Sequence, residues 1–158
     1  MHPSLRQRHP GLVRLATERD LDRLHRIDRE IFPEEPYPFF VLRQLFEVHG
    51  SRFLVLDQGS ELAGYALLAT TPDHQESWVL GLGVVAKHRN LGYGRQLIEE
   101  GISLLTSDRV REVRLSVDRD NDVALHIYRS LGFSLVREHD GYFGPGDDRL
   151  ILGLPLPG

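Results

Sequence analysis

The residues whose types and spacing promise chemistry lie in one short segment, Arg89-x-x-Gly92-x-Gly94. A β-type apolar run from Trp78 to Val85 enters it, and a helical pattern from Arg95 to Leu105 leaves it. A strand feeding a glycine turn at a helix N-terminus gathers free N–H groups and the positive helix end at one spot, which suits an anion. Gly92 and Gly94 let backbone approach a phosphate without a Cβ in the way. The chemistry implied is the grip on a pyrophosphate-bearing cofactor. A plainer reading is a strand-to-helix turn whose glycines serve geometry alone. Gly81-x-Gly83-x-x-Ala86 loosely matches the dinucleotide fingerprint, but its glycines sit inside the apolar run, not at the turn where that fingerprint needs them. No Gly-x-x-x-x-Gly-Lys-Ser/Thr phosphate loop occurs.

A second cluster follows a strand-like stretch. Ala124, Ile127, Tyr128 and Leu131 form an i, i+3, i+4, i+7 stripe, so Tyr128 points to the core side of a helix that Asn121 caps. By itself this is a packed aromatic whose hydroxyl has found a partner.

Together the two segments resemble the signatures of the GNAT superfamily of N-acetyltransferases. Arg89-x-x-Gly92-x-Gly94 is similar to its coenzyme-A-binding motif. Asn121-Asp122-Val123-Ala124-Leu125-His126-Ile127-Tyr128-Arg129-Ser130-Leu131-Gly132-Phe133 is similar to its second motif, Asn-x-x-Ala-x-x-x-Tyr-x-x-x-Gly-Phe. The resemblance spans about Val13 to Leu154, and its specific residues lie between Leu82 and Phe133.

The resemblance implies acetyl-coenzyme A as cofactor and a primary amine as acceptor, with direct attack in a ternary complex. Backbone of Arg89, Asn90, Leu91, Gly92, Tyr93, Gly94 and Arg95 would hold the pyrophosphate. Leu82, Gly83 and Val84 would offer strand backbone to the pantetheine amides and polarise the thioester carbonyl. Asn121 would add a hydrogen bond to the cofactor. Arg89, Arg95 and Lys87 would screen phosphate charge or form a solvated basic surface. Tyr128 would be the general acid, a phenol near pKa 10 facing a thiolate near 8.5.

The general base is the point of departure from the family. Relatives place Glu or His on the strand before the second motif, where this chain has Leu115-Ser116-Val117, or Tyr on the strand entering the glycine turn, where it has Trp78. Serine is a poor base, which leaves water at Ser116 relaying a proton to Glu76, Asp118 or a histidine, or an amine that arrives unprotonated.

The loop Phe32-Pro33-Glu34-Glu35-Pro36-Tyr37-Pro38 falls at the family's acceptor site and resembles the Phe-Pro-x-x-Tyr region of protein N-terminal acetyltransferases, the ribosomal-protein-alanine type among them. Tyr142-Phe143 resembles their Tyr-Tyr pair. Phe32, Pro33, Glu34, Tyr37 and Tyr142 are thus the acceptor-site candidates, with Glu34 and Glu35 attracting a cationic amine. A peptide or protein N-terminus is the leading acceptor, followed by a small amine such as a polyamine, amino acid or aminoglycoside. A non-catalytic acyl-coenzyme-A sensor is the reading from another class.

Bulk properties fit a single domain over residues 1–158, with residues 1–11 a poorly ordered lead-in. The chain has 158 residues, 41% of them hydrophobic and 27% charged, with a net charge of −4. That composition is ordinary for a globular protein. It carries no basic run for nucleic acid and no stretch of membrane-spanning length, so the expected location is cytoplasmic, as monomer or homodimer. Zero cysteines exclude disulfides, thiolate metal sites and an acyl-cysteine route within the chain. The histidines show no ligand spacing, so no metal is expected. His25 and Asp28 share a helix face, as surface hydrogen-bonding pairs do. No Gly-x-Ser-x-Gly elbow supports a serine hydrolase.

The cofactor cleft must be positioned by elements legible as patterns. Strands are expected at 13–15, 52–56, 61–70, 76–85, 111–117, 133–139 and 149–154, and helices after Thr17, over 39–48, 92–106 and 120–131. The fold class is α/β (α+β), with a mixed, mostly antiparallel sheet of about six to seven strands and about four helices. The family resemblance adds that this sheet is splayed in the middle.

Overall fold

The computed structural model describes residues 11–158. Its elements run β1 (Leu12–Leu15), α1 (Leu21–Ile31), α2 (Phe39–His49), β2 (Phe53–Asp57), β3 (Leu62–Thr70), β4 (Glu76–Val84), α3 (Tyr93–Ser107), β5 (Glu112–Val117), α4 (Asp122–Ser130), β6 (Ser134–His139) and β7 (Arg149–Pro155). Each expected strand and helix is present to within a residue or two, except that a 3-10 turn, Glu18–Asp20, stands between Thr17 and the start of α1 at Leu21. The lead-in expectation falls outside the described residues except at Gly11, which is buried against Leu56.

The strands form one sheet in the order β1-β2-β3-β4-β5-β7-β6. Every neighbouring pair is antiparallel except β4 and β5. Alternation along the strands divides the core between two faces. Phe53, Val55, Tyr65 and Leu67 meet Leu24, Ile27 and Leu42 of α1 and α2. Leu54, Leu56 and Ala66 meet Leu97 of α3. Leu105 of α3 joins Leu125 and Tyr128 of α4 over Val113, Leu115 and Val117 of β5.

Two features of β4 decide what the sheet can do. It pairs with β3 from Ser77 to Val84 but with β5 only from Glu76 to Val79. Past Val79 and Leu115 the two strands part, while β5 continues along β7 through Val117. At the parting point the β3 register jumps from Leu67↔Gly81 to Leu68↔Val79, so Leu80 is the extra residue of a bulge.

The entry to α1 is held by charge. Asp20, 1% exposed, accepts Arg14 through both oxygens at 2.7 and 2.9 Å, the Thr17 N–H at 2.7 Å and Arg23 at 2.8 Å. The Arg14 hydrogen bonds foremost, then Thr17 and Arg23, hold its carboxyl well below the usual carboxylate range against the opposing effect of burial. A carboxyl depressed on folding adds stability above its unfolded pKa of about 3.9, and that stability is lost as pH falls toward the folded value. Asp20→Asn should therefore cost about 3 kcal/mol at pH 7. Urea unfolding across the acid range should show wild type losing stability below about pH 4 more steeply than the variant. Parallel pH profiles would remove Asp20 as the anchor of α1.

Candidate active site

The opening between β4 and β5 is the mouth of a cleft of about 980 Å³. Leu80, Gly81 and Leu82 form one wall, and Leu115, Ser116 and Val117 the other. Tyr128 and Asn121 line it from the α4 segment, and Phe32, Glu34 and Tyr37 line it from the loop between α1 and α2.

The β4 wall carries unpaired backbone. Val85 donates to Ala63 O at 2.9 Å. Alternation then turns Gly83 and Gly81 toward β3 and leaves Leu82 and Val84 facing away from it. The Val84 carbonyl accepts Arg89 Nε at 3.0 Å, while the Leu82 amide and carbonyl and the Val84 amide face the opening. An extended amide-bearing chain can pair there as an added strand.

Beyond β4 the chain makes a 3-10 turn at Ala86–His88 and a second turn through Asn90 and Gly92 before α3. Asn90 (φ 64°) and Gly92 (φ 80°) both take the left-handed conformation, which asparagine and glycine tolerate best. The N–H groups of Leu91, Gly92, Tyr93, Gly94 and Arg95 donate to no acceptor among the described residues, and no acidic residue occupies the first turn of α3. This donor cluster suits a pyrophosphate. Two of the basic side chains are already engaged. Lys87 pairs with Glu61 at 2.7 Å, and Arg95 reaches Glu99 at 2.9 Å and Ser130 Oγ at 2.6 Å. Arg89 bonds only the Val84 carbonyl and has no acidic partner among the described residues, so the turn's attraction for an anion rests on its backbone and on Arg89.

The glycines inside β4 serve packing, as their position in mid-strand anticipated. A Cβ on Gly81 would lie 2.6 Å from the Tyr65 ring, and one on Gly83 would lie 2.6 Å from Ile31 and 3.3 Å from Phe32. Phe32 is thereby brought directly over the cofactor strand.

Asn121 caps α4, its Oδ1 accepting the Ala124 N–H at 3.2 Å. Tyr128 is 8% exposed, packs against Phe133 and lines the cleft; its hydroxyl has no hydrogen-bond partner among the described residues. Burial pushes the phenol up to about 12, so it is a protonated donor at any working pH. The sequence-based value near 10 is revised accordingly.

Ser116 lines the cleft on the strand face opposite the buried Val113, Leu115 and Val117. Trp78 lies in the closed, paired part of β4, opposite Arg114, and is outside the cleft. Glu76 is drawn into an ion pair with Arg114 at 2.9 Å, and no histidine among the described residues lines the cleft. Of the proposed proton acceptors beyond Ser116, only Asp118 among the described residues reaches it. Tyr142 does not line the cleft: its ring packs edge-on against His139 and Phe143, and Phe143 takes the place at the opening, beneath the Arg149 guanidinium.

Leu80, Asp147 and Arg149 line the cleft without having been read from the sequence, as do two buried polar residues. Asp28 is 1% exposed, its carboxylate taking the Tyr65 hydroxyl at 2.5 Å and the Tyr37 N–H at 2.7 Å. It is not a surface partner of His25, which packs against Phe39 instead. The available signal was a charge inside the apolar stripe Leu24, Asp28, Ile31. Tyr65 had no signal, being one apolar residue in a buried strand.

Among the described residues no group of acidic and histidine side chains is placed to hold a metal ion, and no helix is long and apolar enough to cross a membrane.

Comparison with known proteins agrees with this geometry. The model of the acetyltransferase (GNAT) family matches residues 19–133. The N-alpha-acetyltransferase of Sulfolobus acidocaldarius is 26% identical over 155 residues, covering 91% of this chain and 92% of the relative. The N-alpha-acetyltransferase RimI of Mycobacterium tuberculosis is 32% identical over 139 residues, 85% of either chain. In fold, the crystal structure of the ribosomal-protein-S18-alanine N-acetyltransferase from Escherichia coli superposes with a TM-score of 0.81 at 23% identity, over 94% of this chain and 95% of that one. The chain belongs to the GNAT acetyltransferase family and is an acetyl-coenzyme-A-dependent N-acetyltransferase.

Gly94 offers a clean test of the donor turn. A Cβ there meets only Val84, at 3.9 Å, so the fold has room for a side chain. Gly94→Glu should leave the thermal midpoint unchanged and weaken acetyl-coenzyme A binding about 100-fold, equivalent to about 2.8 kcal/mol. Calorimetry decides, and unchanged affinity would remove the turn from the cofactor site.

Proposed function

We propose that the acceptor is the α-amino group of a peptide or protein N-terminus. The observation that carries this reading is the charge of the acceptor end. Asp28, Glu34, Glu35, Asp118 and Asp147 line the cleft against one cation, Arg149, which is itself paired with Asp147. Such a lining draws in a cationic amine and repels an acidic acceptor. Phe32 and Phe143 flank the opening, apolar surfaces for a residue beside the amine. The N-alpha-acetyltransferases among the relatives favour a backbone amine over a side-chain one. A second reading, a polyamine, also draws on the run of carboxylates.

The cofactor, when bound, supplies an activated acetyl thioester. The residues of the chain divide the remaining work. The amides of Leu91 to Arg95 grip the pyrophosphate, together with the remaining backbone of Arg89 and Asn90. The Leu82 amide and carbonyl and the Val84 amide, with Gly83 between them, hold the pantetheine arm as an added strand. Asn121 lines the cleft with Tyr128. Phe32, Pro33, Glu34 and Tyr37 shape the acceptor side. Ser116, with Asp118 nearby on the same strand exit, holds water that carries the amine's proton away.

Tyr128 donates a hydrogen bond to the departing sulfur. Transfer from a phenol at about 12 to a thiolate near 8.5 is uphill in water. The transfer completes only where the sulfur shares the dry cleft and its own basicity rises.

Thiol-release assays over unblocked peptides, polyamines and amino acids test the reading. Peptides with a free N-terminus should give the highest kcat/KM and N-terminally blocked peptides none, with Tyr128→Phe lowering kcat about 100-fold on the same substrates. Faster turnover of polyamines would replace the peptide reading with the second one. A Tyr128→Phe rate within a few-fold of wild type would make Tyr128 a packing residue.

A further inference from the structure

The bulge at Leu80 is not held by sheet pairing alone. Tyr37, in the loop between α1 and α2, donates its hydroxyl to the Leu80 carbonyl at 2.7 Å across 43 positions of sequence. The Tyr37 backbone N–H is fixed in turn by Asp28 Oδ2 at 2.7 Å. The other oxygen of Asp28 accepts the Tyr65 hydroxyl at 2.5 Å, and the Tyr65 ring fills the space beneath Gly81, where a Cβ would collide with it. One buried carboxylate thus ties together α1, the acceptor loop, β3 and the bulged residue of β4. Both oxygens are occupied, and neither tyrosine is available as a charged group: burial, and then the Asp28 charge, raises both phenols.

We propose that Asp28, Tyr65 and Tyr37 form a positioning network that sets the shape of the β4 bulge from the acceptor loop, so that seating an amine and presenting the acetyl group are coupled. The inference rests on the cleft being the transferase site. None of the three is assigned a reacting atom. Asp28 holds Tyr37, Tyr37 holds Leu80, and Leu80 begins the stretch of backbone that lines the opening. A shift of the bulge by a fraction of an ångström would misplace a carbonyl relative to the attacking amine without loosening the distant pyrophosphate turn.

Tyr37→Phe keeps the ring and deletes only the bond to Leu80; Tyr65→Phe deletes only the bond to Asp28. Amide exchange in cofactor-free protein and steady-state kinetics are measured on both. For Tyr37→Phe, exchange of the Gly81 and Gly83 amides, which face β3, should rise about tenfold while that of α3 stays unchanged. Its kcat should fall about 10- to 100-fold with KM for acetyl-coenzyme A nearly constant. Tyr65→Phe should move both readouts in the same direction. Unchanged exchange in both variants overturns the network, and raised exchange with unchanged kcat reduces it to a structural tie, which also overturns the proposal. If the wild type acetylates no amine, the transferase reading fails by itself, and exchange then decides whether the loop controls the bulge.

Discussion

Backbone polar groups withdrawn from a sheet need partners, and this protein is organised around a strand that loses half of its own. β4 pairs with β5 for four residues and then departs from it, while β3 stays on its other side. Leu82 and Val84 are left with groups directed into an opening inside the sheet rather than at its edge. An opening of that kind would collapse if the strands were free to close. β5 instead has β7 to follow through Val117, and Tyr128, on the α4 that follows β5, lines the opening.

The remaining features of the site follow from that parting. Gly83 lets the end of α1 and Phe32 press onto the strand, and Gly81 admits the Tyr65 ring. The chain leaving β4 passes through a 3-10 turn at Ala86–His88, whose own bonds and that of Val85 occupy the Val85, His88 and Arg89 amides, before the free amides from Leu91 onward. A ligand with an anionic end and an amide-bearing arm therefore has two separate stretches of donors to meet, one on the strand and one at the helix start. The rest of the cleft has a different lining, with the carboxylates of Glu34, Glu35 and Asp118 and with Ser116 on the strand face opposite the apolar one.

Much of this was legible from the residues. The glycine turn, the Asn121 cap, the stripe that buries Tyr128 and nearly all element boundaries follow from local rules of periodicity and capping. The missing parts depend on contacts distant in sequence. Nothing near Tyr65 shows that its hydroxyl will meet Asp28, 37 residues earlier. Nothing near Leu80 shows the bulge, which exists only in register with β3. The exchange of Tyr142 for Phe143 at the opening turns on which way a glycine-rich hairpin aims neighbouring rings, and no period governs that. The vacancy at the usual base positions was visible in the sequence; only the fold shows that Glu76 is held by Arg114 and that, among the described residues, no histidine lines the cleft, leaving Asp118 near Ser116.

The central claim is that the parted strand and the glycine turn act together as donors to one cofactor. Amide NMR during titration with acetyl-coenzyme A tests it most directly. The account predicts that the resonances of Leu82, Val84 and Leu91 to Arg95 shift together and gain protection from exchange, while those of Trp78 and Val79, already paired on both sides, remain in place. Saturable binding that shifts the turn but leaves Leu82 and Val84 unmoved, or perturbs the paired end of β4 instead, would contradict it.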